Sequence, residues 1–247
     1  MYACSKDELL ECDCGQDFIG KLCREYHFEN NECIGFIDYS YDDNLKLVSE
    51  KYSNKQSVVK KIINYEYNSK GQLAKKAEIY TDNYLYNNTI IYHYNFFDSL
   101  SERILYQNNS VVYEEAIEYD SLKNKCLVTK KVADTIQSYK TYSYDSDNKL
   151  WKIKSFQSSG SLIESFEYNY YYDNTMRINK YDSLTNFNGY ELYRYNTSLQ
   201  IIEKIIYDKD KILVNDDVFD YNDNRLSKVT TYDQYEKIIS YILYKYQ

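Results

Sequence analysis

At near-even spacing along the chain stand nine copies of a short element in which an aromatic residue or isoleucine is followed by one residue of any kind and then a tyrosine. In the first eight copies an Asp or Asn comes next. The copies are Tyr39-Ser40-Tyr41-Asp42, Tyr65-Glu66-Tyr67-Asn68, Tyr92-His93-Tyr94-Asn95, Ile117-Glu118-Tyr119-Asp120 and Tyr142-Ser143-Tyr144-Asp145. They continue as Tyr170-Tyr171-Tyr172-Asp173, Tyr193-Arg194-Tyr195-Asn196, Phe219-Asp220-Tyr221-Asn222 and Tyr244-Lys245-Tyr246-Gln247. The second tyrosines fall between 23 and 28 residues apart. A period of that size marks a supersecondary unit that is stable only when stacked on its neighbours.

Each unit has a second half. In most copies Leu45, Leu73, Leu100, Leu150, Met176, Leu199 or Leu226 follows the anchor, and a further aromatic usually closes the segment (Tyr52, Tyr80, Tyr106, Phe156, Tyr181, Tyr207, Tyr232). Polar clusters such as Asn68-Ser69-Lys70-Gly71 and Asp145-Ser146-Asp147-Asn148 separate the halves. Asn and Asp tolerate the left-handed backbone and bond their own main chain, so they serve as turn residues where glycine is scarce. Each unit therefore predicts a β-hairpin. Strand parity agrees in the first halves, where Leu162, Phe166, Tyr168, Tyr170 and Tyr172 share one face. The second halves are less regular: Leu105, Trp151, Ile153 and Val229 leave the face of the leucines, as a curved sheet covered on both sides would allow. The prediction is an all-β fold: one long, curved antiparallel meander of about 17 strands over residues 36–247, preceded by a small disulfide-bonded segment over 1–35. The absence of proline fits, since proline cannot donate to a strand ladder.

Composition removes several functions. With 30 Lys and Arg against 38 Asp and Glu the net charge is −8, and no basic run supplies phosphate contacts, so nucleic acid is excluded as a partner. No apolar run is long enough for a membrane-spanning helix. With 33 tyrosines, any core is built partly from phenol rings whose hydroxyls need water or partners.

The stretch Tyr65-Glu66-Tyr67-Asn68-Ser69-Lys70-Gly71-Gln72-Leu73 resembles the YD repeat of the RHS family, and the resemblance runs over about 36–247. It implies hairpins in a meander that can coil into a shell. The large members of that family enclose a toxin; that role is not carried over to a chain of this length.

Cysteines 4, 12, 14, 23 and 33 precede the repeats, and Cys126 lies within them. The run Cys12-Asp13-Cys14-Gly15-Gln16-Asp17-Phe18-Ile19-Gly20-Lys21-Leu22-Cys23 resembles the C-terminal half of an EGF-like module. That resemblance implies a Cys14–Cys23 bridge and leaves Cys12 to pair with Cys33 or Cys4, Cys33 being preferred. Disulfides imply an oxidising compartment. A zinc site from the same cysteines and His27 is the rival, although Cys-x-Cys is not the usual ligand spacing. Tyr2-Ala3-Cys4-Ser5-Lys6-Asp7-Glu8 resembles the start of a mature surface lipoprotein of Bacteroidota. This implies a lipid on Cys4 and a cell outer membrane location facing the exterior. Cys126 reads as a buried thiol.

Signatures of catalysis are missing from the sequence: no Gly-x-Ser-x-Gly, phosphate loop or His-Glu-x-x-His occurs. His93 reads as a surface strand residue. The acidic pairs Asp42-Asp43 and Asp216-Asp217 fall near turns. No turn repeats a full calcium ligand set, and no metal or cofactor is expected. The functional expectation is a non-enzymatic surface lipoprotein that acts as a protein-interaction module, an accessory subunit of an outer-membrane complex. The alternative is a glycan-binding protein. Tyr170, Tyr171, Tyr172 and Trp151 are the candidate partner or ligand face.

Overall fold

The computed structural model describes residues 21–83 and 86–246. They form eighteen strands. The first six are β1 (Leu22–Glu29), β2 (Glu32–Tyr41), β3 (Leu47–Asn54), β4 (Val59–Tyr67), β5 (Leu73–Tyr80) and β6 (Asn88–Tyr94). Next come β7 (Leu100–Gln107), β8 (Ser110–Tyr119), β9 (Lys125–Val132), β10 (Thr135–Tyr144), β11 (Leu150–Gln157) and β12 (Leu162–Tyr170). The last are β13 (Thr175–Tyr181), β14 (Phe187–Tyr195), β15 (Ile201–Tyr207), β16 (Leu213–Asn222), β17 (Arg225–Tyr232) and β18 (Ile238–Tyr246). Each strand pairs antiparallel with the next. β18 also pairs with β1, from Leu22 opposite Tyr246 to Glu29 opposite Ser240. The sheet is thus a closed up-and-down barrel of 18 strands, not the open curved meander of about 17 that the sequence predicts.

Closure has a local cause. Where Tyr41, Tyr67, Tyr94, Tyr119, Tyr144, Tyr195 and Tyr221 stand at or next to the ends of their strands, the partner strand carries one extra residue: Val48, Ala74, Ser101, Cys126, Trp151, Ile202 and Ser227. Similar register shifts recur at the opposite end, for example between Phe156 and Leu162 and between Tyr207 and Leu213. A bulge bends its strand and increases the local twist, and repeated bulges coil a sheet until its edges meet. Each bulge also flips the side-chain parity behind it. Tyr144 faces Leu150 but Tyr142 faces Ile153, so Leu150 and Ile153 share a face although they differ in parity. That is why Leu105, Ile153 and Val229 leave the leucine alternation.

One rim, where even-numbered strands end, is built mostly by one device, the exceptions being the β12–β13 turn and the two-residue Asp223-Asn224 turn between β16 and β17. The Oδ1 atoms of Asp42, Asn68, Asn95, Asp120, Asp145 and Asn196 each accept the backbone N–H groups two and four residues ahead. The residue three ahead is left-handed: Leu45, Gly71, Asp98, Lys123, Asn148 and Leu199. A second contact joins neighbouring hairpins. The hydroxyls of Tyr41, Tyr67, Tyr94, Tyr119, Tyr144, Tyr170 and Tyr221 donate to the carbonyls of Leu22, Leu47, Leu73, Leu100, Lys125, Leu150 and Ile201, at 2.7–3.0 Å. In the sixth unit the anchor is therefore Tyr170 and not Tyr172, which stands fully exposed in the turn. With Tyr170 in place the anchor spacing tightens to 25–27 residues.

The other rim is mixed. Two-residue turns with both residues left-handed occur at Asn30-Asn31, Asn108-Asn109 and Ala133-Asp134, the pattern suited to a twisted hairpin. Asx-capped turns open at Asn54, Asp182, Asp208 and Asp233.

β1 lies inside the segment expected to be separate, and it is the strand that closes the ring. Cys23 and Cys33 are buried barrel residues and neither is a free thiol. No disulfide joins two of the described residues, so no separate bridged module is seen among them; the pairings expected with Cys14 and Cys12 fall outside them. Cys126 is a free, half-buried thiol in a bulge.

Candidate functional site: the tyrosine-lined interior

Register carries one face of the sheet continuously across the seam. Tyr244 lies opposite Glu25, Glu25 opposite Ile37, Ile37 opposite Tyr52, and Tyr52 opposite Lys61. This face is the inside of the barrel. A cavity of about 260 Å³ is lined from four successive strands, β7 to β10, by its residues, among them Arg103, Glu115, Val128 and Tyr142. Interior side chains are mostly half-buried, with Ile37, Ile63, Val128 and Val229 among the fully buried ones. Barrels of this strand number leave an aqueous lumen.

Tyrosines and charges alternate along the interior. On β1 to β4, Glu25 accepts the Tyr39 hydroxyl at 2.7 Å, and His27 Nε2 lies 2.8 Å from the same carboxylate. Glu50 accepts Tyr52 at 2.6 Å and Tyr65 at 2.7 Å. Burial, and then these carboxylates, push the Tyr39, Tyr52 and Tyr65 hydroxyls far above the ordinary phenol value. Burial also opposes ionisation of Glu25, but its hydrogen bonds from His27 and Tyr39 outweigh that and hold the carboxyl below the usual range. Across the seam Tyr244 is pushed up to about 12, by burial first and by Glu25 second. On β13 to β15, Glu191 is held by Lys180 at 2.7 Å, by the Tyr193 hydroxyl and by Lys204 at 3.5 Å.

Lysines on the inside lie over rings. Lys61 Nζ is 3.9 Å from the Tyr52 ring centre, Lys130 4.0 Å from Tyr113, and Lys125 4.2 Å from Tyr142. Each is in cation–π range. The outward face is charged as well: Lys75 pairs with Glu66 and Lys152 with Glu167, both at 2.7 Å, and Arg194 pairs with Glu203.

The candidate partner or ligand face read from the sequence gathers at the first rim. Tyr170 and Tyr171 line a cavity of about 330 Å³ with Lys149, Met176, Tyr195 and Leu199. Tyr172 and Trp151 are exposed but do not line it. Cys4, Cys12 and Cys14 fall outside the described residues. His93 is an exposed strand residue 4.0 Å from Glu102. Asp42 caps a turn, while Asp216 and Asp217 project to opposite faces, so neither acidic pair converges on a cleft. No group of three or more His, Cys, Asp or Glu is placed to hold a metal among the described residues. The interior carboxylates Glu25, Glu50, Glu115 and Glu191 were not picked out from sequence. Their signal is the shared parity with the anchor tyrosines, read after allowing for the bulges.

No family model and no curated protein matches the sequence. Solved structures do. A porin-like protein from Bacteroides uniformis matches 93% of this chain and 99% of its own, with a TM-score of 0.51 at 10% identity. A porin-like protein from Bacteroides vulgatus matches 92% of this chain and 99% of its own, with a TM-score of 0.43 at 10% identity. The TcdB2–TccC3 structure matches 85% of this chain and only 12% of its own, with a TM-score of 0.37 at 12% identity. At these identities the first likeness shows a shared barrel fold, and neither the YD repeat nor the EGF-like segment is shown by them.

Proposed function

We propose that this chain is a non-enzymatic barrel of the outer membrane of a Bacteroidota-like cell, lipid-anchored through Cys4, facing the exterior, and acting as an accessory subunit of a larger assembly. The observation that carries this is a closed barrel whose outward face bears ionic side chains on several strands, beside a buried ring cluster of Tyr26, Phe28, Phe36 and Tyr241 on β1, β2 and β18. A lysine or arginine facing lipid at mid-bilayer costs about 2–4 kcal/mol. Lys51, Lys75, Lys152, Lys154, Arg194 and Lys228 all project outward, on the face opposite the interior row. Such a barrel stands in water beside the membrane and needs a tether to stay there. More than one acyl chain, as a lipoprotein cysteine carries, holds firmly. The porin-like neighbour from Bacteroides supports the setting through its fold. Purification from native membranes, with mass spectrometry of the N-terminus and of co-eluting proteins, is the test. An unmodified Cys4, or a barrel recovered alone in the soluble fraction, defeats the reading.

A second reading is favoured by one feature. The inside offers flat tyrosine rings beside charged groups, the chemistry that saccharides stack on and bond to. A glycan bound in the interior, rather than on the rim at Tyr170–Tyr172 and Trp151, is this reading.

A further inference from the structure

The charges inside the barrel are unevenly spread. On β1 to β4 the carboxylates Glu25 and Glu50 are committed to tyrosine hydroxyls, and Lys61 lies against Tyr52. On β7 to β10 the balance reverses. Arg103, Lys125, Lys130 and Lys140 share the interior face with the single carboxylate Glu115, which is already paired to Arg103. Lys130 and Lys125 rest on Tyr113 and Tyr142. Lys140 has no partner among the described residues and is exposed into the same concavity. The cavity of about 260 Å³ is thus a pocket with surplus positive charge, lined also by Tyr119 and Tyr142. Its size suits a saccharide unit and not a folded chain.

We propose that this pocket binds an acidic sugar, its carboxylate or sulfate taken by Lys140 and Lys125 and its ring set beside the Tyr119 and Tyr142 side chains. Two features set the ligand class. Cations without a matching carboxylate select an anion, and they do so in a concave site where screening is weaker than on an open surface. The tyrosine side chains in the lining favour a ring-shaped body over a bare inorganic ion. This rests on the glycan reading of the interior and narrows it to one sector and one charge.

Titration calorimetry on the intact chain tests it with three probes: a galacturonate trisaccharide, a sulfated disaccharide and a neutral galactose trisaccharide. The acidic probes are expected to bind at least about tenfold more tightly than the neutral one, and to weaken as salt is raised. The two acidic arms show whether carboxylate or sulfate is preferred. Lys140→Glu should lower acidic-sugar affinity by about tenfold or more. Lys154→Glu, on the outward face of the adjacent strand, should leave it unchanged, with circular dichroism confirming that both variants fold. Equal binding of neutral and acidic probes, or an unaffected Lys140→Glu, overturns the pocket while leaving the glycan reading in place. Absence of binding by all three overturns both.

Discussion

The two rims of the barrel solve the same problem in different ways. At the first rim, six of the eight turns are Asx-capped and seven tyrosine-to-carbonyl bonds recur, with one two-residue turn at Asp223-Asn224. At the second, two-residue turns, Asx turns and single glycine devices alternate. Gly189 is an example: its φ is +100°, and a Cβ there would meet the Tyr207 carbonyl oxygen at 2.4 Å. Repetition divides stability among many equal contacts, none decisive. The irregular rim places more weight on individual residues. Fold-level periodicity in the sequence is therefore mostly the signature of one rim.

The comparison yields tests of decreasing size. Gly189→Ala combines a strained backbone with a clash against main chain and should cost about 3 kcal/mol or abolish folding, read by urea denaturation. Tyr67→Phe removes one hydroxyl bond to Leu47 and should cost about 1 kcal/mol. Tyr195→Phe, at an anchor with no such bond among the described residues, should be silent. A Tyr67→Phe variant as damaging as Gly189→Ala would break the contrast between rims. Leu45→Gly should stabilise by up to about 1 kcal/mol, because Leu45 holds a left-handed backbone that glycine adopts without steric cost. No gain in midpoint would mean that the flexibility added to the unfolded chain offsets the relief.

The smallest effect concerns Asp216, near the second rim. Burial first, then Glu203 and Asp217, raise its carboxyl above the ordinary value of 3.8. A raised carboxyl destabilises the fold while it is ionised, and that penalty fades as pH falls through the raised value. Asp216→Asn should therefore raise the melting temperature slightly at neutral pH. The gain should shrink on acidification, and a gain that persists at pH below 3.8 would refute the assignment.

Much of this was legible beforehand. The hairpins, their spacing and the Asp and Asn turn openers follow from the repeat, because local turn chemistry and two-residue alternation are written residue by residue. Closure was not legible. It depends on Val48, Ala74, Trp151 and their equivalents being extra residues in the pairing, and register across strands leaves little trace in either strand alone. The same bulges hid the interior face: Leu105, Ile153 and Val229 seemed misplaced only while parity was carried straight through them. Tyr170-Tyr171-Tyr172 offered two possible anchors, and only the bond to Leu150 distinguishes them. Of the candidate face, Tyr170 and Tyr171 line a rim cavity, whereas the interior charges came into view only once the ring was closed.

The pairing of Leu22 with Tyr246 has a consequence for how the molecule comes into being. Until the last strand emerges from synthesis, β1 and the newest hairpin each present an unpaired edge, open to any neighbouring chain. Every intermediate is an unfinished ring, and the final strand both completes the wall and removes the two adhesive borders in a single event.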